Sequence, residues 1–452
     1  MSRPEPTGEN RVVQPEEIFF STTDSRGVIE KANSVFVDIS RYSWDDLIGA
    51  PHNIIRHPMM PGAAFLAMWT TIQSGQPFCA YVHNLAADGA TYTVLATIVP
   101  LGEGYLSVRV TPQVPEMLQA AETVYQAGRD AEWIAGEHGC GAPERARRGL
   151  DAVQTALEQS GYPDYGSFMR KALVQEVAVR RQQHHASHGM ADDTALGQLS
   201  NQVNRARELV ETWLSTFDGL SDLSAKAGRT ARTLREAMTE SQRTADAITD
   251  SREATEVSLK PLVTVLGLWT RMDAEIEPLV TGVVADLDAM AISADLTSFR
   301  LAVAYIQVES THSFVSELWA KVDGWEHALP AINDLSRAVE EAMVEANRRL
   351  DEVRDLADRA ASRIQELADL MAMPTALLTS WQQMASQREL SAGVADLVPR
   401  VEEQIGASRA MAAELTDVVG GLHKLMDASS KELNVSVLAE IRRLSAAVAA
   451  GN

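Results

Sequence analysis

The stretch Pro51-His-Asn-Ile-Ile-Arg-His-Pro-Met-Met-Pro-Gly-Ala-Ala-Phe-Leu-Ala-Met-Trp69 decides the fold of the first hundred residues. Pro58 disfavours helical geometry at the residue before it, so His57 is expected in a bend. Pro61 suits the start of a new helix, which then carries Trp69 on one side. A cation, an imidazole and an indole around a bend suit a pocket for a flat, anionic, aromatic ligand. A capped loop with a core tryptophan is the alternative interpretation.

Strand-like segments lie on both sides of this stretch. Ile18–Thr23 and Val28–Ala32 are rich in β-branched residues, and the turn signal Asp24-Ser-Arg-Gly27 between them predicts a hairpin. Short helices follow, and Asn33 can cap the first of them. Three further strands are predicted at Phe78–Asn84, Thr91–Val99 and Tyr105–Thr111. This order predicts a five-stranded antiparallel sheet with its helices on one face.

The same segment resembles the flavin-binding PAS domain of the aerotaxis receptors. The pattern Pro-His-Asn-x-x-Arg-His-Pro at Pro51–Pro58 is typical of that group rather than of PAS domains at large. Other matching pieces are Phe20-Ser-Thr-Thr-Asp24, Ala32-Asn33, Met60-Pro61, Ala67-Met-Trp69, Asn84 and Gly104-Tyr-Leu-Ser-Val-Arg109. The resemblance implies an FAD, held between sheet and helices, that reports the redox state of the cell. It also implies the cofactor contacts, which are Asn33, Arg56, His57, Trp69 and Asn84.

The chemistry of these residue types suits FAD. Arg56 can pair with a pyrophosphate, Trp69 can stack on a ring system, and the asparagine amides can hydrogen-bond to flavin edge atoms. A photochemical thiol adduct is not expected, because the helix at Pro51–Pro58 has no cysteine and Cys79 lies on a predicted strand. Haem, with His57 or His52 as axial ligand, is the less favoured cofactor. A PAS domain without a cofactor is the main alternative.

Composition narrows the class of protein. The chain has 452 residues and a formal net charge of −22, which argues against a nucleic-acid or anionic-membrane surface. Two cysteines provide no disulfide framework, so a reducing, cytoplasmic location is expected. Residues 1–14 are polar, lack the apolar core of a signal peptide and are predicted to be a disordered tail. No apolar run reaches the ~18–20 residues that a membrane span needs.

The rest of the chain is predicted to be helical. After a PAS domain over residues 15–113, residues 114–194 are expected to be a helical connector. Residues 195–452 contain apolar positions that alternate by threes and fours, as in a coiled-coil seam. We expect a long antiparallel hairpin that turns near Gly324 and Pro330 and pairs with a second copy as a four-helix bundle. Prolines along it predict kinks or breaks.

One part of this region also resembles a chemoreceptor signalling domain. Ile292–Glu309 is similar to the receptor tip, although the Glu-x-Gly-Arg-Gly turn is absent. The chemotaxis kinase and its coupling protein are therefore candidate partners, beside a homodimer or higher homo-oligomer.

These observations favour a soluble, cytoplasmic redox, oxygen or energy sensor in which an FAD-bound PAS domain controls a dimeric helical bundle. The alternative is a cofactor-free PAS scaffold that mediates assembly. An enzyme is not expected, because no nucleophile–base pair, phosphate loop or metal cluster has usable spacing.

Overall fold

A computed structural model describes residues 4–183, 194–249, 260–321, 328–387, 398–428 and 436–451 of the protein. Its first domain contains the strands β1 (Phe19–Thr23), β2 (Ile29–Ala32), β3 (Phe78–Leu85), β4 (Thr91–Leu101) and β5 (Gly104–Val110). They form one antiparallel sheet in the order β2-β1-β5-β4-β3. The predicted five-stranded sheet is confirmed.

The segment between β2 and β3 is helical. It contains α1 (Ser34–Ser40), α2 (Trp44–Leu47), one 3₁₀ turn (His52–Ile55) and α3 (Gly62–Gln73). Polar side chains begin the first two helices, as expected: Asn33 accepts the backbone N–H of Phe36, and Ser43 forms a capping box with Asp46.

Successive residues of β1 point to opposite faces of the sheet. Phe19 lies on the face covered by these short helices, where its ring is 6.0 Å from that of Phe36. Phe20 lies on the other face. Both phenylalanines are fully buried, so helices cover both faces of the sheet.

Two glycines make the β1 hairpin and the start of β5 possible. Gly27 ends the first turn with φ +79°, and a Cβ there would lie 3.2 Å from the indole of Trp69. Gly104 faces β1 so closely that a Cβ would lie 2.0 Å from the carbonyl oxygen of Thr23.

Residues 4–14 differ from the predicted disordered tail. Backbone hydrogen bonds join Thr7 N–H to the Gly89 carbonyl at 2.9 Å and Arg11 N–H to the Thr91 carbonyl at 2.7 Å. The Arg11 side chain also pairs with Asp88 at 2.5 Å. Backbone hydrogen bonds, the Arg11 side chain and the buried Val13 attach this segment to the sheet domain, and its polar composition did not indicate these contacts.

The connector contains α4 (Pro115–Glu137), α5 (Ala142–Gln159) and α6 (Tyr165–Gln183). These helices reach the face of the sheet opposite α1. Tyr81 on β3 donates its hydroxyl hydrogen to Glu176 of α6 at 2.8 Å, and Tyr125 of α4 donates to the Tyr81 carbonyl at 3.0 Å. The buried Glu176 also accepts two backbone N–H groups at the start of the connector.

Five helices follow in the described part of the chain, and they confirm the long helical region. They are α7 (Ala195–Thr249), α8 (Lys260–Ala320), α9 (Ala328–Ser386), α10 (Val398–Ala428) and α11 (Ser436–Gly451). By their internal contacts, the residues divide into two compact units. One comprises Met1–Leu214, Ser298–Asn347 and Leu433–Asn452, and the other comprises Ser215–Thr297 and Arg348–Glu432.

In the second unit, parts of α7, α8, α9 and α10 form a bundle. The predicted seam is its core, since Phe217 and Ala227 on α7 and Ala357 and Ile364 on α9 are all buried. Side-chain pairs link neighbouring helices, among them Arg232–Asp288, Arg363–Asp286, Gln382–Glu402 and Lys226–Glu414. One chain thus supplies four helices of this bundle, and its pairing with a second copy stays a prediction. The seam alone does not distinguish helices of the same chain from those of a partner.

In the first unit, α8 and α9 pack on the sheet domain. Phe314 of α8 meets Phe20 edge-to-face, with ring centroids 5.1 Å apart. Asp334 of α9 pairs with Lys31 of β2. These contacts cover the outer face of β1 and the adjacent edge of the sheet.

The predicted turn near Gly324 falls between α8 and α9, but residues 322–327 lie outside the described residues. Pro330 lies in the first turn of α9, where a missing N–H costs little, whereas Pro278 lies inside α8. None of the helices in the described ranges combines the length and hydropathy that crossing a bilayer requires.

Candidate functional site

A cavity of about 210 Å³ lies between the sheet and the helical segment that contains the 3₁₀ turn and α3. Alternation along the strands places Asn84 of β3, Ala96 of β4 and Arg109 of β5 on its floor. Arg56 and Trp69 line the helical side. The local sequence explains this arrangement, because Pro58 and Pro61 interrupt the helix and bend the chain around the cavity.

Aromatic rings form one wall. The half-buried Trp69 meets Tyr105 of β5 edge-to-face, with ring centroids 5.6 Å apart. One turn earlier on α3, Phe65 lies under the guanidinium of Arg56, 3.6 Å from the ring centroid. This wall can hold a planar ligand by its face or edge.

Arg56 and Asn84 are joined through their backbones by an isolated β-bridge. The Arg56 side chain also reaches the Met60 carbonyl at 3.4 Å, which holds it across the bend. Asn84 is buried, and its amide nitrogen has no hydrogen-bond partner among the described residues. A buried donor without a partner is costly, and in a cavity it is available to a ligand acceptor.

A second cation lies deeper in the cavity. Arg109 is buried and donates to His52 Nε2 at 2.9 Å and to Ser21 Oγ at 3.3 Å. It has no ion pair with any carboxylate in the described ranges. Burial lowers the pKa of Arg109 to about 10, so the guanidinium still carries its charge at pH 7.

His52 shares this position and accepts the hydrogen bond from Arg109 with Nε2. Burial, and then the nearby charge of Arg109, lower the pKa of His52 well below its usual value. The neutral ring stacks on Phe36 with centroids 5.8 Å apart. Because Arg109 occupies Nε2, this nitrogen is not available to a haem iron in the described geometry.

The cavity also has an unusual balance of charge. Three arginines line it, namely Arg26, Arg56 and Arg109, and no aspartate or glutamate does so in the described part of the chain. Arg26 pairs with Asp24 at 3.0 Å. The site is therefore positive within a chain whose formal net charge is −22.

Two predicted contact residues lie outside the cavity lining. Asn33 accepts the N–H groups of Phe20 and Phe36 and donates to the Ile18 carbonyl, so it ties β1 to α1. His57 accepts Met59 N–H at Nδ1, which leaves Nε2 as the donor to Thr91 Oγ1 at 3.2 Å. One ring nitrogen of His57 thus stabilises the bend, and the other joins the bend to β4. The predicted residues that the structure brings together are Arg56, Trp69 and Asn84.

Sequence reasoning missed Arg109 and His52 as site residues. Both belong to the segments that resemble the aerotaxis receptors, in which Arg109 is the last residue of a matching strand and His52 is an alternative haem ligand. The alternation of Ser107 and Arg109 on β5 was the signal that could have placed Arg109 on the cavity face. Cys79 is buried and is not among the residues that line the cavity.

Comparisons with known proteins find similarity over a part of the chain. No protein-family model matches the chain. The aerotaxis receptor of Escherichia coli K12 is 39% identical over 131 residues, which span 28% of this chain and 26% of the receptor. Similar solved structures include the PAS domain of a protein from Colwellia psychrerythraea, with 22% identity, a TM-score of 0.19 and coverage of 21% of this chain and 86% of that one.

Another is a fungal LOV domain photoreceptor, with 23% identity, a TM-score of 0.20 and coverage of 25% of this chain and 85% of that one. The match to the receptor extends over about a quarter of either chain, so it describes a part of each protein. Over that part the chain resembles the aerotaxis receptor, and the domain that contains the cavity has the strand order β2-β1-β5-β4-β3, with helices between β2 and β3, of the PAS fold.

Proposed function

We propose that this protein is a redox sensor whose PAS domain binds FAD in the cavity and controls the helical region. The positive cavity in an acidic chain carries the proposal. Charged groups are expensive to bury without a partner, so a buried Arg109 without a carboxylate suits a site that receives an anionic ligand. FAD combines a flat aromatic ring system with an anionic pyrophosphate.

The lining residues have distinct tasks in this proposal. The orphan amide of Asn84 donates to an acceptor on the edge of the ring system, and Trp69 and Phe65 exclude water from its face. Arg56, on the helical side, takes the pyrophosphate. Arg109 supplies positive charge to the buried part of the site, and His52 holds the guanidinium there. When bound, FAD supplies reversible electron transfer.

The helical region is the proposed output. Similarity to the aerotaxis receptor supports coupling to a chemotaxis kinase through a homo-oligomer. The segment that resembles a receptor tip is mostly buried, since Leu301–Ser310 is covered within the first unit. Binding of a kinase to this segment therefore requires it to become exposed. The unpaired thiols of Cys79 and Cys140 support action in the reducing cytoplasm.

The first experiment is an absorption spectrum of the purified chain after incubation with FAD and gel filtration. We expect retained flavin bands between about 350 and 500 nm that bleach on chemical reduction. Trp69→Ala is expected to lose the bands, because it removes the aromatic wall. Trp133→Ala is the matched control, since Trp133 is 68% exposed on α4.

A spectrum without flavin bands after reconstitution would overturn the sensor proposal and favour the cofactor-free scaffold. That alternative predicts the same oligomeric state for the wild type and for Trp69→Ala in size-exclusion chromatography. A Soret band would instead indicate haem.

A further inference from the structure

The helix that carries the cavity wall begins without a cap of its own. α3 starts after Pro61, which has no side-chain hydrogen bond to offer to the first turn. The first N–H groups of any helix need partners from elsewhere. Here Glu132 provides them from α4, because its carboxylate accepts the N–H groups of Gly62 at 2.9 Å and Ala63 at 2.7 Å.

This carboxylate is held by the positive end of α3. Glu132 has no ion pair with a lysine or arginine in the described part of the chain, so the helix N-terminus compensates its charge. Two charge-assisted bonds to adjacent N–H groups fix both the position and the rotation of the first turn. Phe65 and Trp69 lie one and two turns further along the same helix, on the cavity side.

The surrounding glycines make room for the carboxylate. A Cβ at Gly149 of α5 would lie 2.5 Å from Glu132 Oε1. A Cβ at Gly128 of α4 would lie 2.9 Å from a methyl group of Val153 on α5. Glycine at these two positions therefore allows α4 and α5 to approach each other closely.

A second contact joins α4 to the same end of the cavity helix. Arg129, one turn before Glu132, donates to the Met59 carbonyl at 3.0 Å. Nearer to its N-terminus, α4 bonds to the sheet through Tyr125. One helix thus holds the bend, the cavity helix and the floor strand β3.

We propose that Glu132 is a positioning residue: it fixes the aromatic wall of the cavity and transmits ligand occupancy from α3 to α4 and α5. The inference rests on the proposed function, because FAD is the ligand used to test it. Glu132 touches no ligand itself and acts through the position of α3.

The test compares Glu132→Ala and Glu132→Gln in the full chain, with Glu137→Ala on the exposed end of α4 as the control. We expect Glu132→Ala to weaken FAD binding by about tenfold or more, since two charge-assisted bonds are lost. Glu132→Gln retains one acceptor oxygen and is expected to lie between Glu132→Ala and the wild type. FAD titration monitored by visible circular dichroism measures both the affinity and the asymmetry of the site.

Hydrogen exchange provides a readout that does not need the ligand. Without FAD, the amides of Gly62 and Ala63 should exchange at least about tenfold faster in Glu132→Ala than in the wild type. With FAD, the wild type should gain protection in α4 and α5, whereas Glu132→Ala should gain it only around the cavity.

The two proposals fail in different ways. If the wild type binds no FAD, the proposed function falls, and the exchange of the two α3 amides still decides whether Glu132 holds the helix. Unchanged exchange in Glu132→Ala would overturn the positioning role. If FAD protects α4 and α5 equally in Glu132→Ala and the wild type, transmission through Glu132 is overturned.

Discussion

At the scale of single residues, the site depends on Arg109, a buried cation whose desolvation destabilises the protein without its ligand. Arg109 has two neutral hydrogen-bond partners, His52 and Ser21, and its burial lowers its pKa. Functional groups of this kind are commonly retained for binding at the expense of stability.

Arg109→Met should separate the contribution of Arg109 to FAD binding from its cost to stability. The variant is expected to bind FAD about tenfold more weakly or worse, because the cavity loses its buried positive charge. Without FAD it should be about 1–2 kcal/mol more stable to denaturant, because the desolvation cost disappears. Denaturation and FAD titration of the same preparations provide both numbers. A variant that loses both affinity and stability would show that Arg109 is structural.

Glu317 of α8 is a second residue whose environment opposes its charge. Its carboxylate lies near Ser34 and Asn33 of the sheet domain, and burial, with a smaller effect from Asp38, raises its pKa to about 7. The folded chain then binds more protons than the unfolded chain between the ordinary pKa of 4.5 and about 7. Stability linked to Glu317 is therefore lost as the pH rises through this window.

Glu317→Gln should remove this loss. The variant is expected to match the wild type near pH 4.5 and to exceed its stability at pH 8 by at most about 3 kcal/mol, from the size of the pKa shift. Urea denaturation at both pH values measures the difference. Glu277→Gln, at an exposed position of the same helix, is the control. A stability difference between Glu317→Gln and the wild type that does not change with pH would contradict the raised pKa of Glu317.

At the scale of elements, the packing of α3, α4 and α5 depends on glycines, which have no side chain. Gly149 lies against the carboxylate of Glu132, whereas a Cβ at Gly136 would lie 3.3 Å from the Arg145 guanidinium, at the end of a flexible chain. The same substitution should therefore have opposite effects at the two positions.

Gly149→Ala is expected to lower both stability and FAD affinity, because the new methyl group displaces the carboxylate from the α3 N-terminus. Gly136→Ala should be neutral or stabilise the protein by up to about 1 kcal/mol, through helix propensity alone. Thermal unfolding and FAD titration of the two variants make the comparison. Equal gains in both would show that the three helices have room to move apart.

At the scale of the whole molecule, the first unit brings the sheet domain directly onto α8 and α9. Phe314 covers Phe20 on the outer face of β1, and Asp334 pairs with Lys31 on the edge strand. Glu317 of α8 also lies near Asn33, which ties β1 to α1. A change in the sheet domain can thus reach α8 without passing along the connector.

Phe314→Ala should loosen this packing. Removing a buried aromatic side chain costs about 3–5 kcal/mol, so faster hydrogen exchange is expected in β1 and in the neighbouring turns of α8. Trp319→Ala, a similar truncation at a 43% exposed position of α8, is the control. Equal exchange in both variants would mean that the Phe20–Phe314 contact does not hold the two parts together.

The sequence by itself determined the elements and the identity of much of the site. Period-two strands, turn glycines and proline-bounded helices are local signals, so the sheet and the bend could be predicted. Arg56, Trp69 and Asn84 belong to motifs whose resemblance to aerotaxis receptors pointed to a cavity. The heptad seam likewise predicted which helical faces are buried.

Only the tertiary structure decided which residues meet across long separations. Asn33 and His57 have side chains that suit a ligand, but their hydrogen bonds to neighbouring backbone and to Thr91 use them for the fold. Glu132 caps a helix about 70 residues earlier in the chain, as the Gly62 contact shows. The same holds for the helical bundle. The apolar pattern of a helix predicts that one of its faces is covered, whereas only the three-dimensional packing shows which helices cover it.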